Sequence, residues 1–339
     1  MIHLATALVA GVLMLPSLPP VLALPELPEP EAESWLVYDV TNDVLLAADN
    51  IDDRRAMASV TKLMTVLVAL DRGRLDDLVT VSETAAGVGE AEVGLVAGEQ
   101  WTLRELLTAI MVRSGNDAAV AIAEHIAGSV AGFADLMNQK AVALGMSDTS
   151  FANPHGLDEP GHFTSARDLL TLALAAIDEP VVQRLARTRT VIFRPDPTTG
   201  AERSATNTNR LLGSFPGVDG LKTGFTSDAG LVLATSADQG GRAFVAVVMG
   251  SQDHFADTRI LLEFAYATSG PADRWMAPLV ESEAMSRTPL DPAERRRLAN
   301  LSPLASGIEM TSDPLTTPGA VEIMDWLASR LPVVLGGSS

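Results

Sequence analysis

The order of strand-like and helix-like segments most strongly limits the folds that this chain of 339 residues can adopt. Near the N-terminus, two β-rich runs flank "TND" in "SWLVYDVTNDVLLAADN" and predict a hairpin. Helical patterns fill the middle of the chain, and strand-like runs return only between residues 188 and 250, before the helical segment "DTRILLEFAYATS". Strands on both sides of a helical block indicate one sheet completed from N- and C-terminal pieces, an α+β class.

Individual helices and strands can be placed within this order. "MASVTKLMTVLVALDRG" predicts a mostly buried helix that ends at Gly73, and residues 102–128 predict two helical stretches with Ser114-Gly115-Asn116 between them. "SVAGFADLMNQKAVALG" and "TSARDLLTLALAAI" are typical of amphipathic helices. The predicted strands are "RTVIF", "VDGLKTGFT", "GLVLATSA" and "RAFVAVVMG". The turn residues between them, such as Gly240-Gly241, favour an antiparallel strand block.

Both ends of the chain differ from the folded domain predicted for residues 34–270. Residues 1–23 carry a short apolar run, "LATALVAGVLML", and small residues before a cleavage point, which predict a signal peptide and export, with an uncleaved anchor as the alternative. Residues 24–33 are rich in Pro and Glu and predict a solvated linker. Residues 271–339 are Pro-rich and end in an amphipathic helix at 317–331, for which we consider either packing on the domain or peripheral membrane contact.

Charge and cysteine content exclude several classes of function. The net charge of −19 leaves no basic footprint for a phosphate backbone, so nucleic-acid binding is not expected. The sequence contains no cysteine, which rules out disulfides, thiolate metal sites and a cysteine nucleophile. A cysteine-free chain also suits an exported protein.

Lysine is scarce, since Lys62, Lys140 and Lys222 are the lysines among 24 basic residues. Lys62 follows Ser59 by three residues, so the two side chains share one face of the predicted helix. A buried ammonium can lose its proton whereas a guanidinium keeps it, so Lys62 can act as a base for a serine nucleophile. The helix N-terminus would stabilise negative charge that develops beside Ser59. The pair alone is weak evidence, because Ser-x-x-Lys often occurs by chance.

A second candidate motif lies at the break between the two helical stretches of residues 102–128. Ser114 can relay a proton, and the amide of Asn116 can both donate and accept a hydrogen bond. An ordinary helix cap and turn would explain the same three residues. The motif gains weight only through its connection with the others.

A third candidate motif, Lys222-Thr223-Gly224, falls on a predicted strand. Its lysine and threonine offer a cation and a hydroxyl to an anionic substrate group, and its glycine lets a ligand approach the backbone closely. The N–H of Phe225 is a candidate second oxyanion donor beside the Ser59 N–H. A position of Lys222 near Lys62 would lower the pKa of Lys62 by like-charge repulsion.

The three motifs in this order are typical of penicillin-binding proteins and serine β-lactamases. The segments "FANPHGLDEPGHFTSARDLL" and "NTNRLLGSFPGVDGLKTGFTSDAG" resemble the low-molecular-weight D-alanyl-D-alanine carboxypeptidases, the peptidase S11 family. The resemblance covers residues 34–270. It implies the β-lactamase/DD-peptidase-like fold, in which an antiparallel sheet is flanked by helices and accompanied by a helical lobe.

The resemblance also implies a function and roles for the motif residues. Ser59 would attack the carbonyl between two terminal D-alanines of a peptidoglycan stem peptide, with Lys62 as the base. Ser114 and Lys222 would help to pass the proton to the departing amine, and Asn116 would orient the substrate amide. β-Lactams would acylate the same serine, and the reaction would need no cofactor.

The resemblance further implies that Thr223 binds the terminal carboxylate of the substrate and that Gly224 and Phe225, next to it, belong to the substrate-binding site. Many relatives add an arginine upstream of Lys-Thr-Gly, where this chain reads "NTNRLL". Thr208 occupies that place, and Arg210 is a candidate substitute for the arginine.

Two alternatives remain on the same fold: a serine β-lactamase and a non-catalytic wall-binding relative. The Glu-x-x-Leu-Asn motif that class A β-lactamases use for deacylation does not occur in the sequence, and every motif position is present. Endopeptidase activity on cross-links also stays open. His155 and His162 in "PHGLDEPGH" lack the spacing of metal ligands and predict a structural loop, so no metal site is expected. Asp158 and Glu159 receive the same structural interpretation.

Overall fold

The computed structural model of the protein describes residues 27–269. The predicted signal peptide at 1–23 and the predicted extension at 271–339, including its terminal helix, lie outside the described residues and stay predictions. The described part of the predicted linker, residues 27–33, contains no helix or strand. It is nevertheless docked rather than freely solvated, because the Glu31 N–H donates to Asp257 at 2.9 Å and Ala32 is buried.

One antiparallel sheet is built from the two ends of the described chain. β1 (Ser34–Asp39) and β2 (Val44–Asp49) form the predicted N-terminal hairpin, and β7 (Lys222–Thr226), β8 (Gly230–Gln239) and β9 (Arg242–Ser251) form the C-terminal block. β1 pairs with β9, which gives the strand order β2-β1-β9-β8-β7. The prediction of an α+β fold with one sheet completed from both ends is confirmed.

The sheet has a hydrophobic core on each face. Val245 and Val247 of β9 belong to the core shared with the helical lobe, whereas Phe244 and Val248 pack towards α8 (His254–Thr268). Alternate residues of a strand point to opposite faces, so one strand contributes to both cores. Double burial explains why the sequences of β8 and β9 read as nearly continuous apolar runs.

A helical lobe lies between β2 and β7 in the sequence. Its helices are α1 Lys62–Arg72, α2 Glu83–Ala86, α3 Leu103–Arg113, α4 Asn116–Ala127, α5 Val130–Ala143, α6 Ala166–Ile177 and α7 Pro180–Ala186. A capping box between Thr102 and Glu105 starts α3, which satisfies two N–H groups at its N-terminus. Within residues 27–269 no single helix is long and apolar enough to cross a membrane, and α4 and α5 reach that length only together, bent by 84°.

Two short strand pairs supplement the sheet. β3 (Leu78–Thr80) pairs with β4 (Gln100–Thr102), and β5 (Thr190–Phe193) pairs with β6 (Arg203–Thr206). The sequence predicted β5 alone among these four. Strands of three or four residues are too short to show a period of two.

Candidate active site

Ser59 lies in a 3₁₀ turn, Ala58–Thr61, that leads directly into α1. We call these four residues the Ser59 turn. The spacing of three residues brings the side chain of Lys62 over that of Ser59, and the distance between Lys62 Nζ and Ser59 Oγ is 2.8 Å. The sequence predicted a regular helix N-terminus here; the tighter turn places Ser59 just before the α-helix instead.

Lys62 is completely buried and has three oxygen partners. Its Nζ lies 2.8 Å from Ser59 Oγ, 2.8 Å from Asn116 Oδ1 and 2.6 Å from the His155 carbonyl oxygen. Burial, and then the charge of Lys222, hold the pKa of Lys62 well below its usual range. A neutral Lys62 can donate to Asn116 and His155 while its lone pair accepts the Ser59 proton, which is the arrangement that a general base requires.

The break between α3 and α4 delivers two side chains to Lys62. Ser114 ends α3 in a left-handed conformation with φ 68°, and α4 starts at Asn116. The Asn116 amide accepts from Lys62 and donates to the Gly89 carbonyl at 3.1 Å, so its orientation is fixed at both ends. Ser114 Oγ is buried without a hydrogen-bond partner among residues 27–269. A buried hydroxyl without a partner is available to a substrate or to a transferred proton.

The neighbouring Asp117 fixes the segment that faces this break. Its buried carboxylate accepts N–H groups of Val93, Gly94 and Leu95 at 3.0 to 3.3 Å. This carboxylate is therefore occupied by backbone donors and organises the loop between α2 and β4. Sequence reasoning did not single out Asp117.

β7 brings Lys222 and Thr223 to the same site. Lys222 is buried, its Nζ donates to the Thr223 carbonyl at 2.8 Å, and burial lowers its pKa to about 7. As predicted, the positive charge of Lys222 adds to burial in lowering the pKa of Lys62. Thr223 Oγ1 lies 2.6 Å from Thr208 Oγ1, so Thr208 does join the site.

Gly224 lets β7 lie directly against the Ser59 turn. A Cβ at position 224 would stand 2.9 Å from the Ser59 nitrogen and 2.8 Å from the Ala58 Cβ. Contacts this short exclude any side chain, so glycine is required for the close approach. The next residue, Phe225, leaves 67% of its side chain exposed at the edge strand of the described sheet.

Arg210 does not join these groups. Its guanidinium stands over the ring of Phe255 at 5.9 Å from the centroid, at the start of α8. The expectation that Arg210 substitutes for a carboxylate-binding arginine is thus not supported by its position. The reason is local: the buried amides of Asn207 and Asn209 anchor the segment through backbone partners and present Thr208, between them, to Thr223.

The loop at residues 150–164, which we call the 150–164 loop, contributes through its backbone. The His155 carbonyl reaches Lys62, the Pro154 carbonyl accepts from Thr65 at 2.6 Å, and Asn153 Oδ1 accepts the Gly156 N–H at 2.7 Å. Side-chain identity does not reveal a backbone contact, so sequence motifs could not have located the third partner of Lys62. Residues 27–269 contain no cluster of three His, Asp or Glu residues arranged for a metal ion.

The chain matches a known protein family over most of its length. A family model described as D-alanyl-D-alanine carboxypeptidase, peptidase S11, matches residues 23–253. The chain is similar to the D-alanyl-D-alanine carboxypeptidase DacF of Bacillus subtilis, with 39% identity over 245 residues that cover 70% of this chain and 62% of the relative. It spans 58% to 62% of the length of three curated relatives that it matches.

Two solved structures show the same fold. A D-alanyl-D-alanine carboxypeptidase from Mycobacterium tuberculosis aligns with a TM-score of 0.68 and 29% identity, covering 74% of this chain and 96% of that one. A mutant of a Streptomyces DD-transpeptidase aligns with a TM-score of 0.67 and 28% identity, covering 71% of this chain and 99% of that one. These neighbours confirm the predicted DD-peptidase-like fold.

Proposed function

The chain belongs to the D-alanyl-D-alanine carboxypeptidase family, peptidase S11, and on this premise we propose that it removes the terminal D-alanine from peptidoglycan stem peptides. The reaction runs through an acyl-enzyme on Ser59. The observation that carries this proposal is the 2.8 Å contact between Ser59 Oγ and the buried amine of Lys62, whose pKa is lowered. A hydroxyl beside a desolvated amine is the arrangement of an activated nucleophile.

Acylation begins when Lys62 takes the Ser59 proton and Ser59 Oγ bonds to the carbonyl carbon between the two D-alanines. The N–H groups of Ser59 and Phe225 stabilise the oxygen that becomes negative. The C–N bond then breaks, and the leaving D-alanine takes its proton through Ser114 and Lys222. Water hydrolyses the ester in a second step and restores the free serine.

Substrate recognition uses the two ends of the site. The Asn116 amide orients the stem peptide, and Thr223 with Lys222 binds the terminal carboxylate, beside Gly224. The hydroxyl of Thr208, in contact with Thr223, belongs to this carboxylate pocket. Lys222 is the cation that the pocket supplies, because Arg210 stands over Phe255.

Intact-mass measurement with a penicillin, beside D-alanine release from a peptide ending in D-Ala-D-Ala, tests the proposal. We expect a covalent adduct on Ser59 that lasts minutes or longer, together with D-alanine release. Ser59→Ala should abolish both signals and keep the fold. A β-lactamase would instead lose the adduct rapidly without releasing D-alanine, and a non-catalytic relative would show neither signal.

We also propose that the protein is exported and acts in the periplasm or at the outer face of the cytoplasmic membrane of a bacterium. The apolar run within residues 1–23 supports this, and the family match begins at residue 23, where the predicted leader ends. N-terminal sequencing of the protein from the producing cell tests it. A mature chain that keeps residues 1–23 would contradict cleavage at this point.

A further inference from the structure

A line of three hydrogen bonds leads from the 150–164 loop to the Ser59 turn. The Ala152 N–H contacts His162 Nδ1 at 3.0 Å, His162 Nε2 contacts Thr61 Oγ1 at 2.7 Å, and Thr61 Oγ1 contacts the Ala58 carbonyl oxygen at 2.8 Å. His162, Thr61 and Ala58 are all buried. This line lies behind Ser59, and no step of the proposed reaction uses it.

The chemistry of the groups fixes the direction of every bond in this line. The Ala152 N–H can only donate, so His162 Nδ1 carries a lone pair and the neutral ring has its proton on Nε2. Nε2–H therefore donates to Thr61 Oγ1, and the single hydroxyl proton of Thr61 is left for the Ala58 carbonyl. Burial lowers the pKa of His162 to about 4, which agrees with a neutral ring at neutral pH.

The last acceptor belongs to the peptide unit that carries the Ser59 N–H. A trans peptide unit is planar, and its C=O and N–H point in opposite directions. A hydrogen bond that holds the Ala58 carbonyl therefore also sets the direction of the Ser59 N–H. No acceptor for this N–H lies in the described part of the chain, so it is free to face a ligand.

The surroundings of Ala58 show that this orientation is imposed. Ala58 has φ +48°, a left-handed conformation that L-residues with a Cβ avoid. The Ala58 carbonyl fits against Gly156, where a Cβ would overlap it and would stand 2.8 Å from Thr61 Oγ1. The peptide unit is thus held by the Thr61 hydroxyl and packs against Gly156 of the 150–164 loop.

We propose that His162 and Thr61 are positioning residues that aim the Ser59 N–H at the oxyanion. The inference rests on the acyl-enzyme function proposed above and assigns the 150–164 loop a part in it. Successive hydrogen bonds polarise one another, so donation to the Ala58 carbonyl also makes the Ser59 N–H a stronger donor. Neither side chain touches the substrate, and both act through this one peptide unit.

Thr61→Val tests the proposal, because it removes the hydroxyl and keeps the shape of the side chain. We measure the acylation rate with a penicillin and the infrared stretch of the ¹³C-labelled ester carbonyl in the acyl-enzyme. Acylation should fall about 10-fold, less than the roughly 10²–10³-fold loss on removing an oxyanion donor altogether. The ester stretch should move to higher wavenumber, because the hydrogen bond to its oxygen weakens. Thr61→Ser keeps the hydroxyl and should restore both values.

Thr65→Val is the matched control. Thr65 lies on α1, is buried like Thr61, and is also hydrogen-bonded to the 150–164 loop, because its hydroxyl donates to the Pro154 carbonyl at 2.6 Å. Unlike Thr61, it does not donate to the Ala58 carbonyl. This variant should lower the melting temperature about as much as Thr61→Val and leave the ester stretch unchanged. An equal shift of the stretch in both variants would reduce Thr61 to a general structural role and overturn the inference.

His162 offers a second route, which applies even if Thr61→Val does not fold. His162→Gln can still donate to Thr61, whereas His162→Phe cannot, so the ester stretch should shift more in the Phe variant. If the parent protein forms an acyl-enzyme and both variants keep its stretch, the positioning role is wrong and the proposed function stands. If the parent protein forms no acyl-enzyme, both are wrong.

Discussion

The two buried lysines of the site differ in how complete their surroundings are. Lys62 has three oxygen partners between 2.6 and 2.8 Å, and each comes from a different part of the helical lobe. Lys222 has the Thr223 carbonyl, 2.8 Å away on its own strand. Near the first lysine the nucleophile, an amide and a backbone carbonyl are already assembled. For the second lysine, the described residues 27–269 supply this one hydrogen-bond partner.

That difference separates chemical activation from substrate recognition. Burial lowers the pKa of Lys222 to about 7. A substrate carboxylate would supply a negative charge and would favour the protonated form of Lys222. Under the proposed function, the nucleophile is therefore prepared before binding, whereas the ligand completes the carboxylate pocket.

Lys62→Arg should have the largest effect on acylation of Ser59. Arginine keeps the positive charge but cannot serve as a base, so we expect acylation by penicillin to fall at least about 10²-fold. The matched control is Lys140→Arg, because Lys140 is paired with Asp71 at 2.6 Å and arginine can keep that pair. Near-normal labelling of the Lys62 variant, with a fold like that of the control, would contradict the base role.

Lys222→Met should weaken recognition of the substrate carboxylate, so its effect on kcat/KM should depend on the C-terminal group of the peptide. A hydrogen bond to a charged group contributes about 1.5–3 kcal/mol, so kcat/KM for a peptide ending in a free D-Ala carboxylate should fall about 10-fold to 100-fold. The same peptide with a C-terminal amide lacks the charge and should lose less. An equal loss on both peptides would mean that Lys222 serves proton transfer and not carboxylate recognition.

Gly156→Ala should displace the Ser59 turn by steric overlap and leave its chemical groups unchanged. The new methyl group would overlap the Ala58 carbonyl, and position 156 has φ +89°. Overpacking and the unfavourable φ together should lower the free energy of unfolding by about 2–4 kcal/mol and slow acylation. Gly161→Ala has the control geometry, with φ +83° and no atom within 4 Å of the Cβ. It should lose about 1–2 kcal/mol and keep the acylation rate; a matching loss of acylation there would rule out crowding as the cause.

A further expected effect is on the dependence of stability on pH. The folded pKa of Lys222, about 7, lies below the ordinary lysine value of 10.5, so the unfolded chain binds more protons between these values. The free energy of unfolding should therefore rise with pH from about 7 towards 10. The contribution of Lys222 to it is lost as the pH falls through about 7. Melting temperatures of Lys222→Met should follow a flatter curve in this window. A parallel curve would show that Lys222 does not titrate there.

The sequence predicted the larger elements because their patterns are long. The amphipathic helices carry a clear period, and β8 and β9 are long apolar runs. Among the motif residues, Lys222 lies on the predicted strand, whereas Ser59 lies in a turn just before the predicted helix. The position of Arg210 was not predictable, because two buried asparagine amides decide which side chain of that segment faces the site. The contacts of Lys62 with the His155 carbonyl and of Thr61 with His162 depend on a loop whose path no local pattern encodes.

The pairing of β1 with β9 also has a consequence for the order in which the protein folds. Ser34 stands opposite Met249, so the pair β1–β9 joins segments that lie far apart in the sequence. A two-stranded hairpin is marginally stable by itself, and pairing across such a separation is slow. Until β9 arrives, β1 has one open edge, which another chain could pair with. A chain interrupted before β9 would leave this edge of β1 unpaired and would therefore be prone to aggregate.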